Sequence, residues 1–489
     1  MKSALRAILI GAVAATAVPA LTGCETNPAT GRQIVTLGST IADDQRIGFK
    51  EHPSIIKAFD GVYDDPKVTA YVALVASKLA AASEFPSIAW RFTVLNSKEL
   101  NAFALPGGYV YVTRGLVALA GNEAELAGVL AHEIGHVTAR HSAERQGDAT
   151  LAGVGAVIAG VLLGDAAGQL ASTVGSGYIQ HYSQSQEFEA DTLGVRYLAR
   201  TGYQVRAMAD FLAKMRAHSQ LENKMLGRPE NTVDEGDFFA SHPRTIDRVE
   251  RAAQQAAGAT SNGTALNRET YLKHIDGLLF GDDADQGFIR GRQFIHPKLG
   301  FRFEAPDGFR MINTSSAVIG MGPGNARFKF DMSPQPYAGS AIDYLRGVWG
   351  AKAQLGGIER LDVNGMEGAT ARVAVRIDGQ PGEGRLVAIK ADGNRFYRFM
   401  IASRPGDAAR LSEGFRRLTY SVRRLSAHEA AKTRPWRIRV HQVRAGDTVA
   451  SLSARMAVDE FKEDWFRVLN GLQPGQQVQP GQTVKLVGE

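Results

Sequence analysis

The chain has 489 residues, of which 44% are hydrophobic and 22% charged. That is enough apolar side chain for roughly two to four domain cores, and it excludes wholesale disorder. A formal charge of +6 is spread along the sequence without a long Lys/Arg run, which argues against a nucleic-acid partner and leaves a weak preference for anionic surfaces. One cysteine excludes an intramolecular disulfide.

Residues 1–23 read as an export signal. Lys2 and Arg6 give a basic start, and the apolar run from Ile8 to Leu21 is too short to stay in a bilayer as a helix. Its end, Leu21-Thr22-Gly23-Cys24, resembles the lipobox of bacterial lipoproteins. The resemblance implies a diacylglycerol on Cys24 and a membrane-anchored, periplasmic protein. Glu25, in a place where aspartate would retain it, implies the inner face of the outer membrane.

Residues 24–42 are polar and turn-rich and read as a tether. Helical periodicity then dominates 43–285, broken by a strand pair near Trp90–Leu95 and Tyr109–Thr113. From 291 to 426 short alternating strands appear, such as Phe301-Arg302-Phe303 and Phe396-Tyr397-Arg398-Phe399, around a helix candidate at Ala341–Gln354. This predicts a small α/β sandwich, similar in outline to the PsbP/Mog fold. Residues 427–436 read as a linker, and 437–489 as a compact βααβ module. The fold class is therefore α+β, multidomain.

The strongest chemical signal is His132-Glu133-Ile134-Gly135-His136. Asn122 with Glu125 predicts a capping box that starts a helix, and Leu126, Leu130, Ile134 and Val137 predict its buried face. Histidines at i and i+4 share a face and reach one zinc ion at about 2.0–2.1 Å. Glu133, about 100° round the helix, falls where a general base for a metal-held water belongs.

Hydrolytic zinc needs a third protein ligand. Ala139 and Ser142 stand where a metzincin has glycine and histidine, so that pattern fails. His141, about 140° from His136 on a continued helix, is expected to pack or face solvent. Glu187 is the better candidate and Glu189 its rival. Glu187 and Asp191 share a helix face, so a ligand carboxylate and a partner for the far nitrogen of a ligand histidine come together. Small Ala190 and Gly194 would let this helix approach the first.

His132–His136 with Glu187-x-x-Ala190-Asp191 resembles zinc metallopeptidase family forty-eight, the gluzincins of the CAAX prenyl protease, HtpX and BepA type. Asn101–Gly108 before Tyr109-Val110-Tyr111-Val112, and Ser241-His242-Pro243 before Arg248, resemble further elements of that family. The resemblance implies a zinc endopeptidase with one Zn2+ per chain, cutting misfolded or misassembled envelope polypeptides. It implies Tyr109, Val110 and Tyr111 as an edge strand for substrate. His242 is implied as a catalytic stabiliser or latch, and Arg248 is expected to be structural. Residues 437–489 resemble a LysM module, which implies peptidoglycan as a further partner. The rival reading is a wall-tethered holdase with little proteolysis. The apolar stretch 152–163, interrupted by Asp165, reads as a buried or lid-like helix.

Overall fold

The computed structural model describes residues 23–148, 150, 182–227, 229, 248, 251, 254 and 263–489. Residues 1–22 of the expected leader, the stretch 152–163 and His242 lie outside them. The chain forms two compact units. The first holds residues up to Leu278 with Ile438–Met456 and Glu463–Leu486, and the second holds Leu279–Arg437 with two short C-terminal pieces.

In the first unit the expected tether is folded. A hairpin of β1 (Cys24–Thr26) and β2 (Gln33–Val35) buries Ile34, and the side chain of Asn27 between them donates to the Thr138 carbonyl at 3.3 Å. Helix α1 (Ile41–Ala58) starts on a Thr40 capping box, and α2 (Pro66–Ala81) on Asp65 with Pro66 at its first position. Three strands follow: β3 (Arg91–Leu95), β4 (Ala102–Leu105) and β5 (Tyr109–Thr113). Their order is β3-β5-β4, parallel between β3 and β5 and antiparallel between β4 and β5. The strand carrying Tyr109, Val110 and Tyr111 is thus central, which corrects its expected place at an edge. The three-residue segment Pro106-Gly107-Gly108 between β4 and β5, with both glycines at positive φ, is short enough to fold the chain back and pair β4 with β5.

Helix α3 (Arg114–Leu119) leads into α4 (Glu123–Thr138), and α5 (Gln184–Thr201) and α6 (Ala207–Met225) pack against α4. Asn122 caps α4 through the Glu125 amide at 2.9 Å, but the Glu125 carboxylate reaches the Gly121 amide rather than that of Asn122. Nor is α4 one-sided: Glu123 through His136 are all buried, and Val137 is the half-buried one. An all-round buried helix is one that neighbours cover on every side.

Residues Ile438–Met456 and Glu463–Leu486, expected as part of a separate module, belong to this unit. The order strand (Trp436–Gln442), helix (Val449–Ala454), helix (Lys462–Asn470), strand (Thr483–Gly488) is as expected. Docking runs through helix α7 (Arg268–Ile275), whose Arg268 donates to the carbonyls of Gly121 and Thr483 at 2.7 and 3.0 Å.

The second unit is built on a seven-stranded antiparallel sheet and a four-stranded sheet over an aromatic core that includes Phe294, Phe303, Phe330 and Phe399. The helix expected over Ala341–Gln354 is shorter. It is α-helical over Ala341–Tyr344, widens to a π turn over Leu345–Trp349 and stops at Gly350. The expected linker contains a helix, Ala427–Lys432, on a Ser426 capping box. Among the described residues no helix is long and apolar enough to cross a membrane.

Candidate metal centre

Close approach of two helices makes the site. Gly135 on α4 and Ala190 and Gly194 on α5 have no side chain beyond a methyl. A Cβ on Gly135 would lie 3.0 Å from the Ala190 carbonyl oxygen, and one on Gly194 3.3 Å from the His132 amide. Across this seam His132 and His136 face Glu187, and all three are buried.

Their donor atoms form a triangle. His132 Nε2 lies 3.0 Å from His136 Nε2 and 3.6 Å from Glu187 Oε2, and His136 Nε2 lies 3.5 Å from Glu187 Oε1. A tetrahedral zinc ion with ligands at about 2.0–2.1 Å sets them roughly 3.3 Å apart. Two imidazoles and a carboxylate at these spacings fit that ion.

Asp191 faces the far nitrogen of His132. Its Oδ1 accepts from His132 Nδ1 at 2.9 Å, which leaves Nε2 as the atom turned to the triangle. Burial by itself would raise the Asp191 carboxyl. The charge and hydrogen bonds of Arg248, with that of His132, overcome it and hold the group below the usual carboxylate range. Arg248 grips Asp191 with two bonds, Nε to Oδ2 at 2.9 Å and Nη2 to Oδ1 at 2.8 Å, and reaches Glu187 Oε2 through Nη1 at 2.8 Å. A residue read as structural thus fixes the carboxylates of both Glu187 and Asp191.

Sequence reasoning missed two residues at the site. Tyr182 stacks on His136 with ring centroids 3.7 Å apart, and burial pushes its hydroxyl up to about 12. His141 neither faces solvent nor merely packs: its Nδ1 lies 2.8 Å from His136 Nδ1, and its Nε2 lies 2.9 Å from Glu189 Oε2. The expected 140° offset assumed one continuous helix. In fact α4 ends at Thr138, Arg140 takes a left-handed φ of 53°, and a new helix covers 141–148. Arg140 is held in that conformation by Asp44 at 3.0 Å, by the Ser39 carbonyl at 2.8 Å and by Glu25. The turn swings His141 back over His136. Glu189, the rival ligand, serves His141 instead and stands outside the triangle.

His132, Glu133 and His136 on one helix, with Glu187 on the next, form the kind of site that zinc-dependent peptidases carry. Residues 66–256 match the model for peptidase family M48. Zinc is the metal of that family, and the triangle suits it. The chain is similar to the beta-barrel assembly-enhancing protease of Yersinia pestis, 31% identical over 47% of this chain and 48% of that protein. It is also similar to that of Escherichia coli K12, 34% identical over 31% of this chain and 33% of that protein. The mitochondrial metalloendopeptidase OMA1 of Schizosaccharomyces pombe is 30% identical over 37% of this chain and 51% of its own. The chain thus spans about half the length, or less, of these curated relatives. Cyanobacterial PsbP from Synechocystis aligns over 28% of this chain and 98% of its own at 14% identity, with a TM-score of 0.23, too low to assign a fold.

Proposed function

We propose that the chain is a zinc-dependent endopeptidase of the bacterial envelope that hydrolyses misfolded or misassembled periplasmic and outer-membrane polypeptides. The observation that carries this reading is the buried triangle of His132, His136 and Glu187 with Glu133 on the same helix. When bound, zinc supplies a Lewis acid and an acidified water. Glu133 takes the proton of the attacking water and returns it to the leaving amine. Asp191 and Arg248 keep His132 and Glu187 in place while this happens. The likeness to the beta-barrel assembly-enhancing proteases of Yersinia and Escherichia supports a substrate among proteins on the way to β-barrel assembly.

The substrate strand belongs on β4, which has β5 on one side as its hydrogen-bonded neighbour. Ala104, Leu105, Pro106 and Gly107 line a small hollow with His136 and Tyr182, which puts that edge beside the metal ligands. Lipid on the exposed Cys24 would tether the enzyme to the membrane, and residues 437–489 would add peptidoglycan contact, a role that murein co-sedimentation tests.

The experiment is zinc content and cleavage of casein and of an unfolded outer-membrane protein, with Glu133→Gln beside the wild type. The expected result is about one zinc per chain in both and cleavage in the wild type alone. Full cleavage by Glu133→Gln sinks the reading.

A further inference from the structure

The two ligand histidines are oriented differently. His132 gives its Nδ1 proton directly to Asp191, whereas His136 Nδ1 meets another imidazole nitrogen, His141 Nδ1, at 2.8 Å. Two ring nitrogens at that distance share one proton, so one of them donates and the other accepts. For His136 to lend Nε2 to the metal, its proton must sit on Nδ1. His141 Nδ1 is then the acceptor, and the proton of His141 is on Nε2, where the Glu189 carboxylate receives it at 2.9 Å.

The carboxylate is itself fixed. Arg32, from the hairpin that follows Cys24, reaches Glu189 with Nη2 at 3.1 Å and Nε at 3.4 Å, and holds Glu144 with Nη1 and Nη2 at 2.5 and 2.8 Å. Gln186 braces Glu144 from the other side at 2.9 Å.

Building on the zinc-site reading, we infer that His141 is a positioning residue that fixes the tautomer of His136, with Glu189 and Arg32 as the outer members of the relay. The segment just beyond Cys24 is thereby part of the metal centre's support.

The test is zinc affinity of the full chain, measured by chelator competition on metal-free protein, with thermal melting of the same metal-free samples. His141→Phe keeps a ring and removes the acceptor, and it is expected to weaken zinc binding about 10–100-fold. His141→Asn, whose side-chain carbonyl stands where Nδ1 stood and can still accept from His136, is expected to stay within about threefold of the wild type. A purely structural His141 would give no such rescue. Glu189→Ala leaves His141 in place and is expected to weaken binding severalfold; it carries the test if the His141 variants do not fold. Wild-type affinity in His141→Phe or in Glu189→Ala, or equal losses in Phe and Asn, overturns the relay and leaves the zinc site standing. A wild type that binds no zinc overturns the zinc-site reading instead, and the relay with it.

Discussion

Lys485 donates to the Ala118 carbonyl oxygen at 2.7 Å, and also to those of Leu119 and Ala120 at 2.9 and 2.7 Å. A cation is favoured at a helix C-terminus, and these carbonyls end α3 just before the Asn122 cap of the zinc helix. The ammonium is fully buried, and burial pushes it well below the ordinary lysine range. Lys485→Met keeps the length and removes all three donors, leaving buried carbonyls without them. A loss of about 2–4 kcal/mol is expected. At this unit's size that lowers the melting temperature by roughly 5–10 °C, read by calorimetry on the metal-free protein. A shift below about 1 °C would show that the contact contributes nothing.

Gly135 sets how near α4 and α5 come. Glycine inside a helix costs about 0.5–1 kcal/mol relative to alanine. Its place here follows from the Ala190 carbonyl at 3.0 Å, Ala190 Cα at 3.2 Å and Leu193 Cβ at 3.3 Å from where a Cβ would stand. Gly135→Val must push the helices apart, and the ligands lie on both sides of that seam. Stability is expected to fall by about 1–3 kcal/mol. Zinc affinity, by the same chelator competition, should fall with it; an unchanged affinity would show that the seam tolerates the added bulk.

The zinc triangle was legible because its members are local. His132 and His136 lie one turn apart, Glu187 and Asp191 lie one turn apart, and each pair sits on one helix. What failed was whatever depends on a break in regularity or on a distant partner. Arg140 gives no composition signal for its left-handed turn, so the angle to His141 was carried past the end of the helix. Tyr109–Thr113 shows the alternation of a half-buried strand, but its neighbours on both sides are a matter of pairing, which periodicity does not encode. Nothing in the sequence marks Lys485 as a buried donor, because its carbonyl partners are 365–367 positions away.

His296, in the second unit, gives a pH dependence. Its Nδ1 accepts from the Leu299 amide at 3.3 Å, its ring packs on Phe301, and burial holds it down at about 4, against an ordinary value of 6.5. Between those values the unfolded chain binds the proton that the folded unit refuses. Stability from this group is therefore complete above pH 6.5 and is lost as the pH falls towards 4. His296→Asn, which keeps an acceptor for Leu299 and does not titrate, should lose less stability between pH 7 and pH 5 than the wild type. Denaturant midpoints at the two pH values measure this, and parallel losses would rule His296 out as the cause.

The edge strand β4 allows a sharper test of substrate binding. The Thr113 amide donates to the Asn101 carbonyl at 2.9 Å, so that facing pair is a hydrogen-bonded one. By the alternation of an antiparallel ladder, Phe103 opposite Tyr111 is hydrogen-bonded too, and Ala102 and Ala104 turn their N–H and C=O groups away from β5. Those are the groups an added strand would use. Proline at an outward-facing edge position removes one donor without breaking the ladder. Ala104→Pro is therefore expected to lower kcat/KM on an extended peptide about tenfold, the worth of one hydrogen bond, with zinc affinity and melting temperature nearly unchanged. Phe103→Pro, one residue earlier, removes a donor to β5 and should lower the melting temperature instead. Wild-type cleavage by a folded Ala104→Pro would show that substrate does not pair with β4.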